Sequence, residues 1–156
     1  MKRLVLFILL MMLFILGCSD EGLKGEQPPD AYITIGGKSY ETILGTYCWS
    51  YNGKGLCVDT AGPKELLAFH NEEPIKVQPE ETITFTMDFE PKPTEVHATV
   101  IKGQNESKVD VANNSFTAPK EKGVYYYYYG VWWKDDKESD IYQGDAFYAF
   151  ALEVRK

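Results

Sequence analysis

The chain has 156 residues and a formal net charge of −7 at pH 7, with 16 Lys and Arg against 23 Asp and Glu. This length suits one domain of ordinary size with its own hydrophobic core. The acidic balance argues against nucleic acid as a partner, because phosphate contact requires clustered Lys and Arg.

An export signal is predicted at residues 1–17. Lys2 and Arg3 precede an unbroken apolar run, Leu4–Leu16, and a small residue then leads into Cys18. This order is typical of a cleaved signal peptide. A retained transmembrane helix and simple secretion are the alternatives, although the run of 13 residues is shorter than the about 20 that a bilayer core requires.

The junction Ile15-Leu16-Gly17-Cys18 resembles the bacterial lipobox, in which an aliphatic residue, a second residue and a small residue precede one cysteine. The resemblance implies acylation of Cys18 with diacylglycerol and palmitate, cleavage before it, and anchoring to the extracytoplasmic face of the cell membrane. Stable anchoring needs more than one acyl chain. Because Ser19 follows the cysteine, the resemblance implies the outer membrane if the source has two membranes.

Residues 18–30 are predicted to be the lipidated cysteine and a flexible tether. After the cysteine the stretch is polar, contains Gly and Pro, and has no apolar period, which is typical of a linker. We expect this tether to hold the folded domain, residues 31–156, clear of the lipid surface.

From residue 31 onward the pattern predicts an all-β domain. The clearest strand covers 81–89, where Ile83 and Phe85 lie on one face and threonines on the other, as in a strand with one buried side. A weak helical period occurs only at 63–72. Many short strands between Gly, Pro and Asn clusters favour a sandwich or a barrel.

A disulfide-closed hairpin is predicted between Cys48 and Cys57. Asn52-Gly53 is the strongest two-residue turn signal, because a type I′ turn requires a positive φ at both positions. Pairing outward from this turn places the cysteines opposite each other, with Cα atoms about 4.5 Å apart, within disulfide reach. Export to an oxidising compartment favours the bond, which stabilises the fold by roughly 2.5–3 kcal/mol in the chain-entropy model.

A metal or redox site is the alternative interpretation of these cysteines. Cys48, Cys57, His70 and His97 are suitable ligands for copper or zinc, but cupredoxins cluster a Cys, a His and a Met near the end of the chain, and this chain does not. Both histidines are interpreted as surface residues, and neither a cofactor nor a metal is predicted.

The last third of the chain resembles the final strands of immunoglobulin-like bacterial domains. The shared features are Pro119, Gly123, Tyr125 in an alternating segment, and a final apolar strand at 145–154. The resemblance implies an immunoglobulin-like antiparallel β-sandwich, in which Tyr125 bonds back to the preceding loop. The whole chain is also similar to small surface lipoproteins of Gram-positive bacteria, a likeness that carries over no catalytic residue.

The aromatic cluster at 125–133 is the candidate working surface. Since successive side chains of a strand point to opposite faces, we expect Tyr126, Tyr128 and Trp132 to face outward, joined by Phe147 of the neighbouring strand. Such a patch is typical of an interface, and it could stack on cell-wall glycan or dock an envelope protein. Coverage by loops or another strand is the alternative.

Catalysis finds little support in the sequence. No Gly-x-Ser-x-Gly elbow is present, and the adjacent acidic pairs are interpreted as solvated charge rather than glycosidase carboxylates. The sequence therefore predicts a non-catalytic binding or structural module at the cell envelope, with a metal-handling or redox lipoprotein as the alternative. One acidic loop is a further calcium candidate, through Asp135, Asp136, Asp140 and Asp145.

Overall fold

The structure is a computed structural model, and it describes residues 22–134 and 142–155. These residues form eleven strands and one short helix. The strands are β1 (Ala31–Ile35), β2 (Lys38–Glu41), β3 (Ile43–Tyr51), β4 (Lys54–Val58), β5 (Ile75–Val77), β6 (Thr82–Met87), β7 (Glu95–Lys102), β8 (Asn105–Val109), β9 (Ser115–Thr117), β10 (Gly123–Lys134) and β11 (Tyr142–Val154). The helix, α1 (Pro63–Phe69), lies between β4 and β5.

Two sheets pack face to face as a sandwich. The small sheet has the order β2-β1-β6-β9, and the large sheet has the order β4-β3-β11-β10-β7-β8. Neighbouring strands are antiparallel, except that β5 adds to β11 in parallel. The predicted all-β antiparallel sandwich is thereby confirmed.

The connections between the sheets follow the immunoglobulin-like pattern. From β6 in the small sheet the chain crosses to the β7–β8 hairpin in the large sheet, returns to β9, and crosses again to the β10–β11 hairpin. The Tyr125 hydroxyl donates to the backbone oxygen of Glu121 at 2.9 Å, as the resemblance implies. The β3–β4 hairpin, α1 and β5 precede β6 in the chain, and the hairpin widens the large sheet beyond β11.

Aromatic side chains fill the space between the sheets. Phe85 of the small sheet stacks on Tyr129 of the large sheet, with ring centroids 3.9 Å apart. Trp49 meets Trp133 edge-on at 5.0 Å, a favoured geometry for aromatic pairs. The odd-numbered aromatic residues of β10 are all buried, as their alternation predicts: Tyr125, Tyr127, Tyr129 and Trp133.

Residues 22–30 lie against the domain, so the predicted flexible tether is wrong for this stretch. The Leu23 side chain is only 1% exposed, and its backbone N–H donates to the oxygen of Ser50 at 3.0 Å. The indole N–H of Trp49 donates to the oxygen of Gly25 at 2.9 Å. One apolar side chain in a polar stretch, supported by backbone hydrogen bonds, is enough to dock the segment.

The predicted signal peptide, residues 1–17, and the acylated Cys18 lie outside the described residues. The lipid anchor therefore stays a prediction. In the described ranges, 22–134 and 142–155, no helix has both the length and the apolar character needed to cross a bilayer.

Helix α1 covers part of the outer face of the large sheet. Leu66 and Leu67 are buried against Ala149 and Ala151 of β11. The two alanines leave room for the helix, because longer side chains would hold it away from the sheet. The remainder of that outer face, toward the C-terminal end of β10, carries the aromatic residues singled out above.

Candidate functional site

The Cys48–Cys57 disulfide is present and closes the β3–β4 hairpin. Asn52 and Gly53 have φ values of 49° and 70°, as the predicted type I′ turn requires. The register pairs the two cysteines directly, with Cα atoms 4.1 Å apart. While the bond is intact, neither thiol is available as a nucleophile or a metal ligand.

The histidines lie on separate elements. His97 faces outward on β7, where its Nε2 is 2.7 Å from Oε1 of Glu95. His70 ends α1, and its ring meets Phe69 edge-on. Among the residues that the structure describes, no three His, Cys, Asp or Glu side chains gather as a metal site. Three members of the calcium candidate lie outside the described residues: Asp135, Asp136 and Asp140.

Three aromatic side chains form what we call the aromatic patch: Tyr128, Trp132 and Phe147. All three are half-buried on the outer face of the large sheet. Trp132 meets Phe147 nearly at right angles with centroids 5.3 Å apart, and Tyr128 meets Phe147 at 6.1 Å. The rings therefore form one continuous surface.

Tyr126, the fourth residue expected on the binding surface, is half-buried like the other three. It faces outward, but it packs in the cluster formed by α1 and β11. Tyr128 lies at the boundary, since it contacts the same cluster and its hydroxyl donates to the oxygen of Ala61 at 2.9 Å. Burial raises the pKa of Tyr128 above its usual value. The segment that contains α1 thus covers one end of the predicted surface.

Gly130 lies beneath the aromatic patch. It is paired with Phe147 across the β10–β11 ladder. A Cβ at this position would lie 2.6 Å from Cη2 of Trp132 and 2.9 Å from Cε1 of Phe147. A glycine is therefore needed for both rings to lie close to the sheet. Sequence reasoning missed this residue, although a glycine inside a strand often marks a close approach.

Four polar side chains surround Trp132, and we call them the polar frame: Glu95 and His97 on β7, Lys134 on β10 and Asp145 on β11. In the register, Trp132 is opposite Glu95 of β7 and Asp145 of β11. Lys134 Nζ lies 3.1 Å from Oε2 of Glu95, and the His97 ring lies 5.2 Å from that of Trp132. Sequence reasoning missed the polar frame as a unit, because only the strand register brings its members together.

The polar frame carries charges of both signs. Hydrogen bonds from His97 and from Lys134 lower the pKa of Glu95, and the bond to Glu95 raises the pKa of Lys134. Burial raises the pKa of Asp145, opposed by the backbone N–H of Cys48, which donates to its Oδ1 at 3.2 Å. Hydrogen-bond donors and acceptors therefore border the same partly exposed ring, that of Trp132.

A shallow depression of about 480 Å³ continues from Trp132 along β7 and β8. Thr99, Lys108 and Asp110 supply polar groups to its lining. The aromatic patch, the polar frame and this depression form one open surface rather than a closed cavity, so an extended ligand fits it better than a small enclosed molecule.

Comparison of the chain with protein-family models, curated proteins and solved structures finds no significant match. The function of the chain is therefore inferred from the geometry of this surface. Ring faces can contact apolar ligand groups, while the bordering side chains can exchange hydrogen bonds with polar ones.

Proposed function

We propose that the chain is an extracytoplasmic lipoprotein, anchored to the membrane through Cys18, whose folded domain is a non-catalytic binding module of the cell envelope. The aromatic patch is the observation that carries this proposal. Tyr128 packs at the margin of the α1 cluster, whereas Trp132 and Phe147 lie on the outer sheet face outside that cluster. Exposed apolar patches mark interaction sites, and Trp and Tyr supply much of the binding energy at interfaces.

Two features support the extracytoplasmic location. The first is the lipobox resemblance at Cys18. The second is the Cys48–Cys57 disulfide, since disulfides persist in oxidising compartments and are rare in the cytosol. Both agree with a domain that works outside the cytosol.

The proposal is tested by recovering envelope components with the full-length protein and with Trp132→Ala. Trp132 is only partly buried and borders solvent, so its truncation should spare the fold. It should weaken recovery by about tenfold, because a central Trp commonly contributes more than about 1.4 kcal/mol to binding. Phe69→Ala is the matched control, since Phe69 is an aromatic residue that is 81% exposed outside the aromatic patch. Equal recovery by wild type and Trp132→Ala would contradict the proposal.

The same cells test the anchor by metabolic labelling with palmitate. We expect the wild type to carry the label and to remain with the membrane fraction, and Cys18→Ser to lose the label. A wild-type protein without a label would refute the lipid anchor, whatever the outcome of the recovery experiment.

A further inference from the structure

We infer that the aromatic patch and the polar frame bind a neutral glycan built of β-linked, gluco-configured sugar rings. This inference rests on the proposed function and names the ligand class of the same site. Sugar rings of this configuration present C–H groups on their faces and hydroxyl groups around their rims. A matching site therefore needs an accessible aromatic ring with hydrogen-bonding groups at its edge.

Trp132 supplies the accessible ring. It lies over Gly130 and is supported from the side by Phe147 and His97, with ring centroids 5.3 and 5.2 Å away. Contacts on two sides restrict the motion of the indole, so less conformational entropy is lost when a ligand binds. The ring is thus held in place before the ligand arrives.

The polar frame supplies hydrogen-bonding groups around the edge of the Trp132 ring. Glu95 and Asp145 accept hydrogen bonds, Lys134 donates them, and the His97 ring can do either. The two carboxylates lie on opposite sides of Trp132 in the strand register. A sugar hydroxyl both donates and accepts, so a ring stacked on Trp132 could bond to each of these groups.

The mixture of charges favours a ligand without net charge. Lys134 is ion-paired with Glu95, and Lys108 and Asp110 both line the depression. A strongly basic peptide would meet these lysines, whereas a polyanion would meet the carboxylates and the net charge of −7. A neutral polyhydroxylated chain meets neither repulsion.

The depression along β7 and β8 determines the expected length of the ligand. Its volume of about 480 Å³ lies next to Trp132 and is bordered by polar side chains. Two further sugar rings that are linked to the one on Trp132 could occupy it. We therefore expect trisaccharides to bind more tightly than the corresponding monosaccharides.

Tryptophan fluorescence provides a direct readout. Of the three Trp residues, Trp49 and Trp133 are 2% and 1% exposed, so quenching by acrylamide reports mainly on Trp132. The full-length protein, in a detergent without a sugar headgroup, is titrated with triacetylchitotriose, cellotriose and trilysine. We expect either trisaccharide to protect the fluorescence from acrylamide in a saturable manner.

Variants separate the contributions of ring and charge. By calorimetry, Trp132→Ala should weaken trisaccharide binding about tenfold or more, Trp132→Phe should restore part of the loss, and Phe69→Ala should have no effect. Glu95→Gln retains an acceptor oxygen, so we expect a loss below about threefold and little change between about 0.05 and 0.5 M salt. Circular dichroism verifies that each variant is folded.

Each possible outcome of these experiments either supports or overturns the glycan inference. Saturable, Trp132-dependent trisaccharide binding supports it. Binding of trilysine instead, weakened by salt, overturns it in favour of a basic peptide. If neither sugar binds up to about 10 mM, but recovery of an envelope component still depends on Trp132, the glycan inference fails and the proposed function stands. If that dependence is also absent, both fail.

Discussion

Gly130 and Gly144 lie on neighbouring strands of the large sheet, and each makes room for a tryptophan. A Cβ at Gly144 would lie 2.7 Å from both Trp49 Cε3 and Leu23 Cδ1, whereas a Cβ at Gly130 would lie 2.6 Å from the outer end of Trp132. Trp49 is enclosed in the core, but Trp132 borders solvent. The same added methyl group should therefore have different consequences at the two positions.

We expect Gly144→Ala to lower the free energy of unfolding by about 1–3 kcal/mol, because buried rings cannot move aside without strain. Gly130→Ala should lower the free energy of unfolding by less than about 1 kcal/mol, since the Trp132 and Phe147 rings both border solvent and can move outward. It should nevertheless increase acrylamide quenching of Trp132. Urea unfolding and quenching measure the two effects. Equal destabilisation by both variants would contradict this account of the aromatic patch.

The segment 22–30 packs along the folded domain as if it were a further structural element. Gly22 forms a β-bridge with Tyr51, and the hydroxyl of Tyr148 donates to the oxygen of Pro29 at 2.7 Å. Leu23 is fully enclosed between these contacts. The segment therefore contributes to the stability of the core, and any flexible tether must end before it.

Leu23→Ala should lower the free energy of unfolding by about 2–4 kcal/mol, the usual cost of deleting an enclosed leucine side chain. Leu56→Ala is the matched control, since Leu56 on β4 is 52% exposed and its truncation should cost less than about 0.5 kcal/mol. Urea unfolding of both full-length variants provides the comparison. A Leu23→Ala value as small as that of the control would show that the segment is not part of the folded unit.

The sequence correctly predicted the features that depend on residues close together in the chain. The Asn52-Gly53 turn determined the β3–β4 register down to the cysteine pair, since register follows turn type. Alternation in β10 correctly indicated which rings face the core. Docking of Leu23 and the approach of Glu95 to Trp132 depend on contacts between distant parts of the chain, so no local period in the sequence reveals them. Coverage of Tyr126 depends on where α1 packs, which is equally non-local.

For the molecule as a whole, the concentration of tyrosine in the core predicts that stability falls at alkaline pH. The chain has 11 tyrosines. Burial raises the pKa of Tyr127, Tyr129 and Tyr148 above the ordinary value of 10.0, and it raises the pKa of Tyr129 to about 12. Among the described residues, the Tyr129 hydroxyl is also a buried polar atom without a hydrogen-bond partner. Nothing there would stabilise its phenolate.

Because the folded-state pKa of Tyr129 lies above its unfolded value, its contribution to stability is complete below pH 10.0 and is lost as pH rises toward about 12. One pKa unit corresponds to about 1.4 kcal/mol, so this residue alone should lower the free energy of unfolding by roughly 2 kcal/mol at about pH 11.5. Urea unfolding at about pH 8 and pH 11.5 measures the loss, and near-ultraviolet absorbance follows phenolate formation. Tyr129→Phe removes the titrating hydroxyl, so this variant should lose correspondingly less stability over the same range. An identical loss in wild type and Tyr129→Phe would show that this buried hydroxyl does not couple folding to pH.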